Sequence, residues 1–243
     1  MLITPRELCR YWKVSPKLVL HVGAHEAEEL QDYSDLSWGE EGVYWVEALP
    51  EKAETVRVKV GKFPRHSVFC FVAWDKSGDW VDFNETSNGQ SSSALPLHDH
   101  ADVYPDVLVT KKHRFLTSRI EDKIDLTHVR CLGLVNLDIQ GTELKALRGL
   151  GSHIEKVEAI YSEVNLRELY EGNALLADMD LFLRTEGFER VDWVFLKQGW
   201  GDALWLRSEL VPNWRRTRRS IRNWKWLVLH YKDRLRHALN RMT

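Results

Sequence analysis

The sequence predicts a doubly wound α/β fold, a mostly parallel sheet with helices on both faces and an antiparallel last strand. Three observations lead there. Short apolar, β-branched segments alternate with helically spaced stretches along most of the 243 residues, the pattern of repeated strand–helix crossovers. Several of these segments are apolar throughout, as strands buried on both faces are. The last two strand segments are too close in sequence for a crossover, so they must pair antiparallel.

The elements follow in order. Residues 1–17 form an N-terminal helical extension, 18–211 the main domain and 212–243 a basic amphipathic tail. Residues 16–22 read as a buried strand stopped by Gly23, and 26–36 carry Ala27, Leu30, Tyr33 and Leu36 at helical spacing. Val43–Val46 is a second strand, followed after Pro50 by a helix to about Lys59, and Val68–Ala73 is a third. Asp75–Asp79 is a turn, and Trp80–Phe83 alternates like an exposed strand. The polar segment between Glu85 and Asp106 is long enough to be functional rather than a mere connector. Leu132–Leu137 is a buried strand, a helix starts near Thr142, and Val157–Tyr161 is another strand. The amphipathic stretch Leu175–Glu186 stops at Gly187. Phe188–Phe195 and Ala203–Leu206 close the domain around a Gly199-Trp200-Gly201 turn.

Composition narrows the class. With 44% hydrophobic and 29% charged residues, the chain can fill a substantial core and is neither disordered nor a small disulfide scaffold. Three cysteines (Cys9, Cys70, Cys131) without a C-x-x-C pair fit reduced thiols. No segment approaches the roughly 20 apolar residues of a spanning helix, and the N-terminus lacks the order of a signal peptide. A soluble, cytoplasmic protein is expected. The net charge of −2 conceals a split: residues 212–243 hold ten Lys/Arg against Asp233, and the rest of the chain carries −11. Such a tail has its own partner or docks on the acidic body.

Ligands of such sheets bind at the carboxyl ends of the strands, where strand order reverses. Four strand ends offer candidates: Gly23-Ala24-His25, Glu47, Asp75 and Asp138. The first turn has a single glycine, with His25 and Glu28 in the second and third glycine positions of a dinucleotide fingerprint. That counts against a nicotinamide oxidoreductase. Glu26, Glu28 and Glu29 crowd the helix start where a diphosphate needs unopposed N–H groups. A ligand without phosphates, such as the sulfonium-bearing S-adenosylmethionine, fits better. Glu47, 24 residues after Gly23, stands near the interval at which an acid accepts from ribose hydroxyls, although an ordinary surface glutamate would read the same. Asp75 could accept from an adenine amino group with Ala73 or Trp74 against the ring, or simply be a turn aspartate.

These residues resemble the FkbM family of S-adenosylmethionine-dependent methyltransferases. His21-Val22-Gly23-Ala24-His25 resembles that family's entry turn, Trp45-Val46-Glu47-Ala48-Leu49-Pro50 its acidic second-strand end, and Ala73-Trp74-Asp75-Lys76-Ser77-Gly78 its third-strand turn. Gly89-Gln90-Ser91-Ser92-Ser93 resembles its serine-rich loop, placing Ser91 and Ser92 among the cofactor contacts. Most specific is Asp138-Ile139-Gln140-Gly141-Thr142-Glu143, with Leu147 and Gly149, followed by Glu163-Val164-Asn165 and Glu186-Gly187-Phe188. The resemblance runs from about Leu18 to Arg207, leaves the tail uncovered, and implies a Rossmann-like class I methyltransferase fold. Two positions depart from it: His21 stands where the family has an acid, and Ala27 where it has a glycine. The cofactor's amino group would then be held with help from Glu28, a backbone carbonyl or water.

The resemblance implies methyl transfer to a hydroxyl of a sugar, glycan or related metabolite. An alcohol needs a general base or a metal. Asp138 is the first candidate, as base or as a ligand of a divalent ion, with capping of the following helix as its plainer role. Glu163 and Asn165 are second, and His100 on the polar loop is a mobile alternative. His98 and His100 lack the further ligands of a zinc site. In the tail, Trp214, Ile221, Trp224, Val228, Tyr231 and Leu235 recur at three- and four-residue steps among arginines and lysines, which suits an anionic membrane surface and hence a peripheral place at the inner membrane face. Docking on the body or a second subunit is the alternative; nucleic acid lacks a reading module. A catalytically degenerate adaptor at a membrane or glycan assembly site is the competing non-enzymatic reading.

Overall fold

The computed structural model describes residues 1–211; the tail and its membrane reading lie outside the described residues. Met1–Arg207 forms one compact unit, and Ser208–Leu210 is a short 3₁₀ turn of the next. The N-terminal segment starts with α1 (Pro5–Glu7), whose first turn is closed by reciprocal bonds between Thr4 and Glu7. It continues as a wider π-type turn over Leu8–Trp12. The segment lies within the Met1–Arg207 unit. Ile3 and Leu8 are fully buried, the Ile3 amide donates to Tyr161 Oη at 3.1 Å, and the Leu2 amide donates to Asp202.

The central sheet contains β1 (Leu18–Val22), β2 (Gly42–Glu47), β3 (His66–Cys70), β7 (Leu132–Leu137), β8 (Val157–Asn165), β9 (Phe188–Phe195) and β10 (Trp200–Arg207), in the order β3-β2-β1-β7-β8-β10-β9. Pairings from β3 to β8 are parallel, and β10 runs antiparallel to both neighbours. Order reverses between β1 and β7, whose residues are all buried; the strands are apolar except for His21 and Asn136, which meet each other inside the sheet. The connections carry α2 (Leu30–Asp35), α3 (Pro50–Val60), α6 (Glu143–Arg148) and α7 (Leu176–Thr185).

Three elements differ from the sequence expectation. The third strand does not run to Ala73. The main sheet releases the chain after Cys70, and β4 (Val72–Ala73) joins a second sheet, β4-β6-β5, with β5 (Trp80–Thr86) and β6 (Val109–Ser118). β6 has no counterpart in the sequence reading, because Lys111-Lys112-His113-Arg114 hides a strand that exists through its antiparallel register with β5. The polar segment between these strands contains α4 (Asp99–Val103), and α5 (Ile120–Lys123) follows β6. In the last hairpin, Trp200 and Gly201 already belong to β10. A Cβ at Gly201 would lie 2.0 Å from the Val194 carbonyl oxygen, so its glycine serves strand packing rather than a turn.

The helix expected over 26–36 begins only at Leu30, since His25 (φ 42°) and Ala27 (φ 55°) are left-handed. Ala27 pays a Cβ penalty that glycine avoids. Ala27→Gly is therefore expected to stabilise the protein by about 0.5–1 kcal/mol, read as a rise in the urea midpoint with unchanged slope.

Candidate active site

A cavity of about 460 Å³ opens at the carboxyl ends of the parallel strands, at the reversal point between β1 and β7. Its size suits a small-molecule or cofactor site. The floor is made by two strand ends in close contact. The Gly23 and Ala24 amides donate to the Val46 carbonyl, and the Asp138 amide donates to Val22. A Cβ on Gly23 would sit 1.9 Å from the Asp138 carbonyl oxygen, and its φ of 93° is itself a glycine conformation.

Glu47 reaches from β2 under the first turn. Its two carboxylate oxygens accept from the His25 amide at 2.8 Å and the Leu49 amide at 2.9 Å. Burial pushes its carboxyl upward, and these N–H groups oppose that shift. The residue still lines the cavity, which places an acid where a ribose would meet it. Next to it, Leu49, Phe71, Val72, Ala73 and Phe83 form an apolar wall suited to a purine ring. Asp75 does not line this cavity. The chain leaves the main sheet before reaching it, so the structure does not bring Asp75 to the cavity as the sequence reading expected. Trp74 also lies outside the cavity, with the Lys145 ammonium 4.6 Å from its ring centre.

His21 lines the opposite end of the first turn. Its ring stacks on Trp45 with centroids 4.9 Å apart. Asn136 Nδ2 donates to Tyr33 Oη at 2.9 Å, and His21 Nδ1 lies 3.0 Å from that hydroxyl and 3.3 Å from Asn136 Nδ2. His21 Nε2 stands 3.9 Å from Glu29. Burial lowers the imidazole's pKa, more than Glu29 raises it, and the ring is neutral. Glu29 is thus the acid nearest His21, and Glu28 also lines the cavity and acts on the ring. Glu28 is bound by His25 Nδ1 at 2.6 Å and by the Glu26 amide at 3.1 Å; burial alone would raise its carboxyl, but these bonds hold it at about 2. His25 lines the cavity, and its Nε2 lies beside Gly89 with no hydrogen-bond partner among the described residues.

The serine-rich segment folds over the cavity. Ser91 Oγ accepts from Asn88 at 3.0 Å and bonds His100 Nε2 at 3.2 Å, while Ser92 Oγ accepts from the Thr86 amide. Both serines line the cavity, yet their hydroxyls are engaged in holding the loop. His100 is not mobile: α4 buries it to 4% exposure between Tyr104 and Tyr170, and that burial lowers its pKa. Its Nδ1 has no partner among the described residues. Ser93 Oγ donates to the Gln140 carbonyl at 2.7 Å, and Trp200 Nε1 donates to Tyr104 Oη at 2.9 Å, tying the loop to both halves of the sheet.

Asp138 and Glu163 enter the cavity from the ends of β7 and β8. Gln140 Nε2 donates to Asp138 Oδ1 at 2.6 Å and Glu163 Oε2 at 3.1 Å, and Tyr170 Oη donates to Gln140 Oε1 at 2.6 Å. Asp138 is exposed in the cavity, but burial of its carboxyl among the surrounding protein, followed by the charge of Asp202, pushes it up to about 6. Glu143 has a bracing role: it accepts from the Ile139 and Gly141 amides, and burial raises its carboxyl to about 7 despite these bonds. Asn165 is fully buried and does not line the cavity. Among the described residues no three His, Cys, Asp or Glu side chains are grouped to hold a metal ion, so the divalent ion expected at Asp138 lacks a donor set. Gln140, Glu29, Tyr170, Trp200 and Asp202 line the cavity without having been singled out as cofactor or catalytic candidates. Only Gln140 had a sequence signal, its place in the D-x-Q-G run.

A mostly parallel sheet with one inserted antiparallel strand, a glycine bend at the reversal point and an acid at the second strand end define a Rossmann-like methyltransferase. The methyltransferase FkbM domain model matches residues 21–190, and the chain belongs to this family of S-adenosylmethionine-dependent methyltransferases. It is 25% identical over 173 residues, 68% of this chain and 70% of the relative, to the 2-O-methyltransferase NoeI of Sinorhizobium fredii (strain NBRC 101917 / NGR234). The crystal structure of the methyltransferase FkbM from Methylobacillus flagellatus KT aligns with a TM-score of 0.50 at 17% identity, covering 79% of this chain and 43% of that one, so the chain spans under half of that protein. Among the described residues no helix is long and apolar enough to cross a membrane.

Glu47→Ala is expected to weaken S-adenosylmethionine binding at least tenfold by calorimetry, through loss of a charge-assisted hydrogen bond. Unchanged affinity would remove Glu47 from the ribose position.

Proposed function

We propose that the protein transfers a methyl group to a hydroxyl oxygen of a sugar, glycan or related polyol. The observation that carries this reading is the placement of Asp138 on the cavity floor, against Gly23 and within reach of solvent, with a carboxyl at about 6. Such a group is ionised at neutral pH and basic enough to take a hydroxyl proton as the oxygen attacks. The 2-O-methyl transfer in the name of the Sinorhizobium fredii relative supports oxygen as the acceptor atom.

The residues present fit S-adenosylmethionine. When bound, the cofactor supplies an electrophilic methyl on a sulfonium. Gly23 leaves room for it, Glu47 would accept from the ribose, Glu29 and the neutral His21 would face the amino end, and the wall at Leu49, Phe71 and Phe83 would cover the adenine. Six acidic side chains line the cavity (Glu28, Glu29, Glu47, Asp138, Glu163 and Asp202) against the Met1 amino group and Lys52, whose ammonium is bound to Glu26 at 2.8 Å. That balance favours a cationic donor and disfavours phosphates. Tyr104, Tyr170 and Trp200 give the acceptor side an aromatic lining that suits the C–H faces of a sugar. His100, held between Tyr104 and Tyr170, shapes this wall and is second to Asp138 as a proton acceptor.

The tail at 212–243, with ten Lys/Arg and one acid, is proposed to contact an anionic membrane surface, which would bring the domain to lipid-linked acceptors. Residues 1–211 should pellet less with anionic liposomes than the full chain; equal pelleting rejects the membrane contact.

Asp138→Asn should preserve S-adenosylmethionine binding and lower turnover by about 10²–10⁴-fold, the usual worth of a general base. In the wild type, kcat/KM should fall as pH drops through about 6, because Asp138 then takes up a proton and ceases to be a base. Near-normal turnover in the variant, or a flat profile across that range, would reject the assignment.

A further inference from the structure

Three carboxyl groups from three strands share one side of the cavity: Asp138 after β7, Glu163 on β8 and Asp202 on β10. Among the described residues, Lys52 is the sole Lys or Arg in the lining, and it is engaged by Glu26. The Met1 amino group also lines the cavity, and its charge lowers the Asp138 and Asp202 carboxyls, while the hydrogen bonds that the three acids receive come from neutral donors. Asp202 accepts from Tyr161 Oη and the Leu2 amide. Asp138 and Glu163 share a single NH₂ group, that of Gln140, at 2.6 Å and 3.1 Å. The Tyr170 hydroxyl, donating to Gln140 Oε1, fixes the amide with its NH₂ toward the acids. Glu143 from α6 adds further negative charge nearby, its own carboxylate turned onto the Ile139 and Gly141 amides.

Two carboxylates on one amide group, with no cation hydrogen-bonded to either and the N-terminal charge acting on Asp138 rather than Glu163, do not both ionise readily. One keeps a proton. Asp138 has the shorter bond from Gln140 and is exposed in the cavity, whereas Glu163 is 9% exposed and holds the longer bond. We propose that Glu163 acts as a neutral carboxylic acid that donates a hydrogen bond to the acceptor, while Asp138 alone takes the hydroxyl proton, with Gln140 keeping the two in unequal roles. Because Gln140 bonds Oε2, the Glu163 proton belongs on Oε1. Burial, then the charges of Asp138, Glu143 and Asp202, act in the same direction, pushing the Glu163 carboxyl well above its ordinary range. An acceptor oxygen able to receive a hydrogen bond beside the reacting hydroxyl, such as a vicinal hydroxyl or ring oxygen, matches this donor.

This inference rests on the methyl-transfer reading above, and the test separates the two. Infrared difference spectra of the full chain with S-adenosylhomocysteine bound are recorded at neutral pH for wild type, Glu163→Gln and Asp138→Asn, with binding checked by calorimetry. Subtracting Glu163→Gln should leave a carboxylic-acid C=O band, and subtracting Asp138→Asn should leave carboxylate bands. Loss of a carboxylate band in Glu163→Gln, with binding intact, overturns the inference and leaves the parent reading standing. A wild type that does not bind S-adenosylhomocysteine removes the parent reading and this inference with it. If Glu163→Gln does not fold, ¹³C-glutamate titration of the wild type serves: a resonance lost in Gln140→Leu that stays protonated through neutral pH supports the proposal, and none staying protonated overturns it.

Discussion

The contact between the ends of β1 and β7 governs the site. Asp138 can stand at the centre of the cavity floor only because its backbone runs against Gly23, where any Cβ would overlap the Asp138 carbonyl. The same bend turns the His25 amide toward Glu47, so one missing side chain positions both the acid at the second strand end and the acid at the fourth parallel one. The strain continues into His25 and Ala27, both left-handed, and shortens α2 to six residues. Backbone strain of this kind persists where surrounding contacts overdetermine it, here by Glu47 and Glu28 on either side of His25.

The electrostatics follow from how this floor is built. Acidic side chains are costly to collect in a cavity unless N–H groups or protons offset them. The protein uses backbone amides for Glu47 and Glu143, a tyrosine hydroxyl and an amide for Asp202, and one glutamine amide for the Asp138–Glu163 pair. Neutral donors satisfy the carboxylates without cancelling their field. The cavity therefore keeps a negative potential that matches a sulfonium donor, and burial, followed by the charge of Asp202, raises the Asp138 carboxyl.

The second sheet and the polar segment determine what else can enter. Ser93 bonded to the Gln140 carbonyl and Trp200 bonded to Tyr104 connect the loop to the catalytic turn and to the last strand. His100 thus serves as a wall, packed between two tyrosines. The N-terminal segment completes the lining with Met1 and Leu2, the Leu2 amide bound to Asp202, so the cavity is built from chain regions far apart in sequence.

Much of this was legible in local sequence. Alternating apolar segments specify the sheet and its antiparallel end, because strand burial and loop length are local properties. The single glycine after the first strand, the acid at Glu47 and the Asp138–Glu143 run mark the site, because strand ends in such a sheet converge. Other features were set only by tertiary structure. β6 depends on a cross-strand register that its basic residues conceal, and Asp75 is carried away by a chain that changes sheets after Cys70. Glu29 comes nearer His21 than Glu28 does because left-handed residues rotate the helix start by an amount no helical periodicity reveals. Asp202 and Trp200 arrive from a hairpin that inserts next to β8, and the sharing of the Gln140 amide by Asp138 and Glu163 depends on distances between side chains 25 residues apart. Sequence determines which groups a strand end carries; only packing determines which of them meet and how many donors they must share.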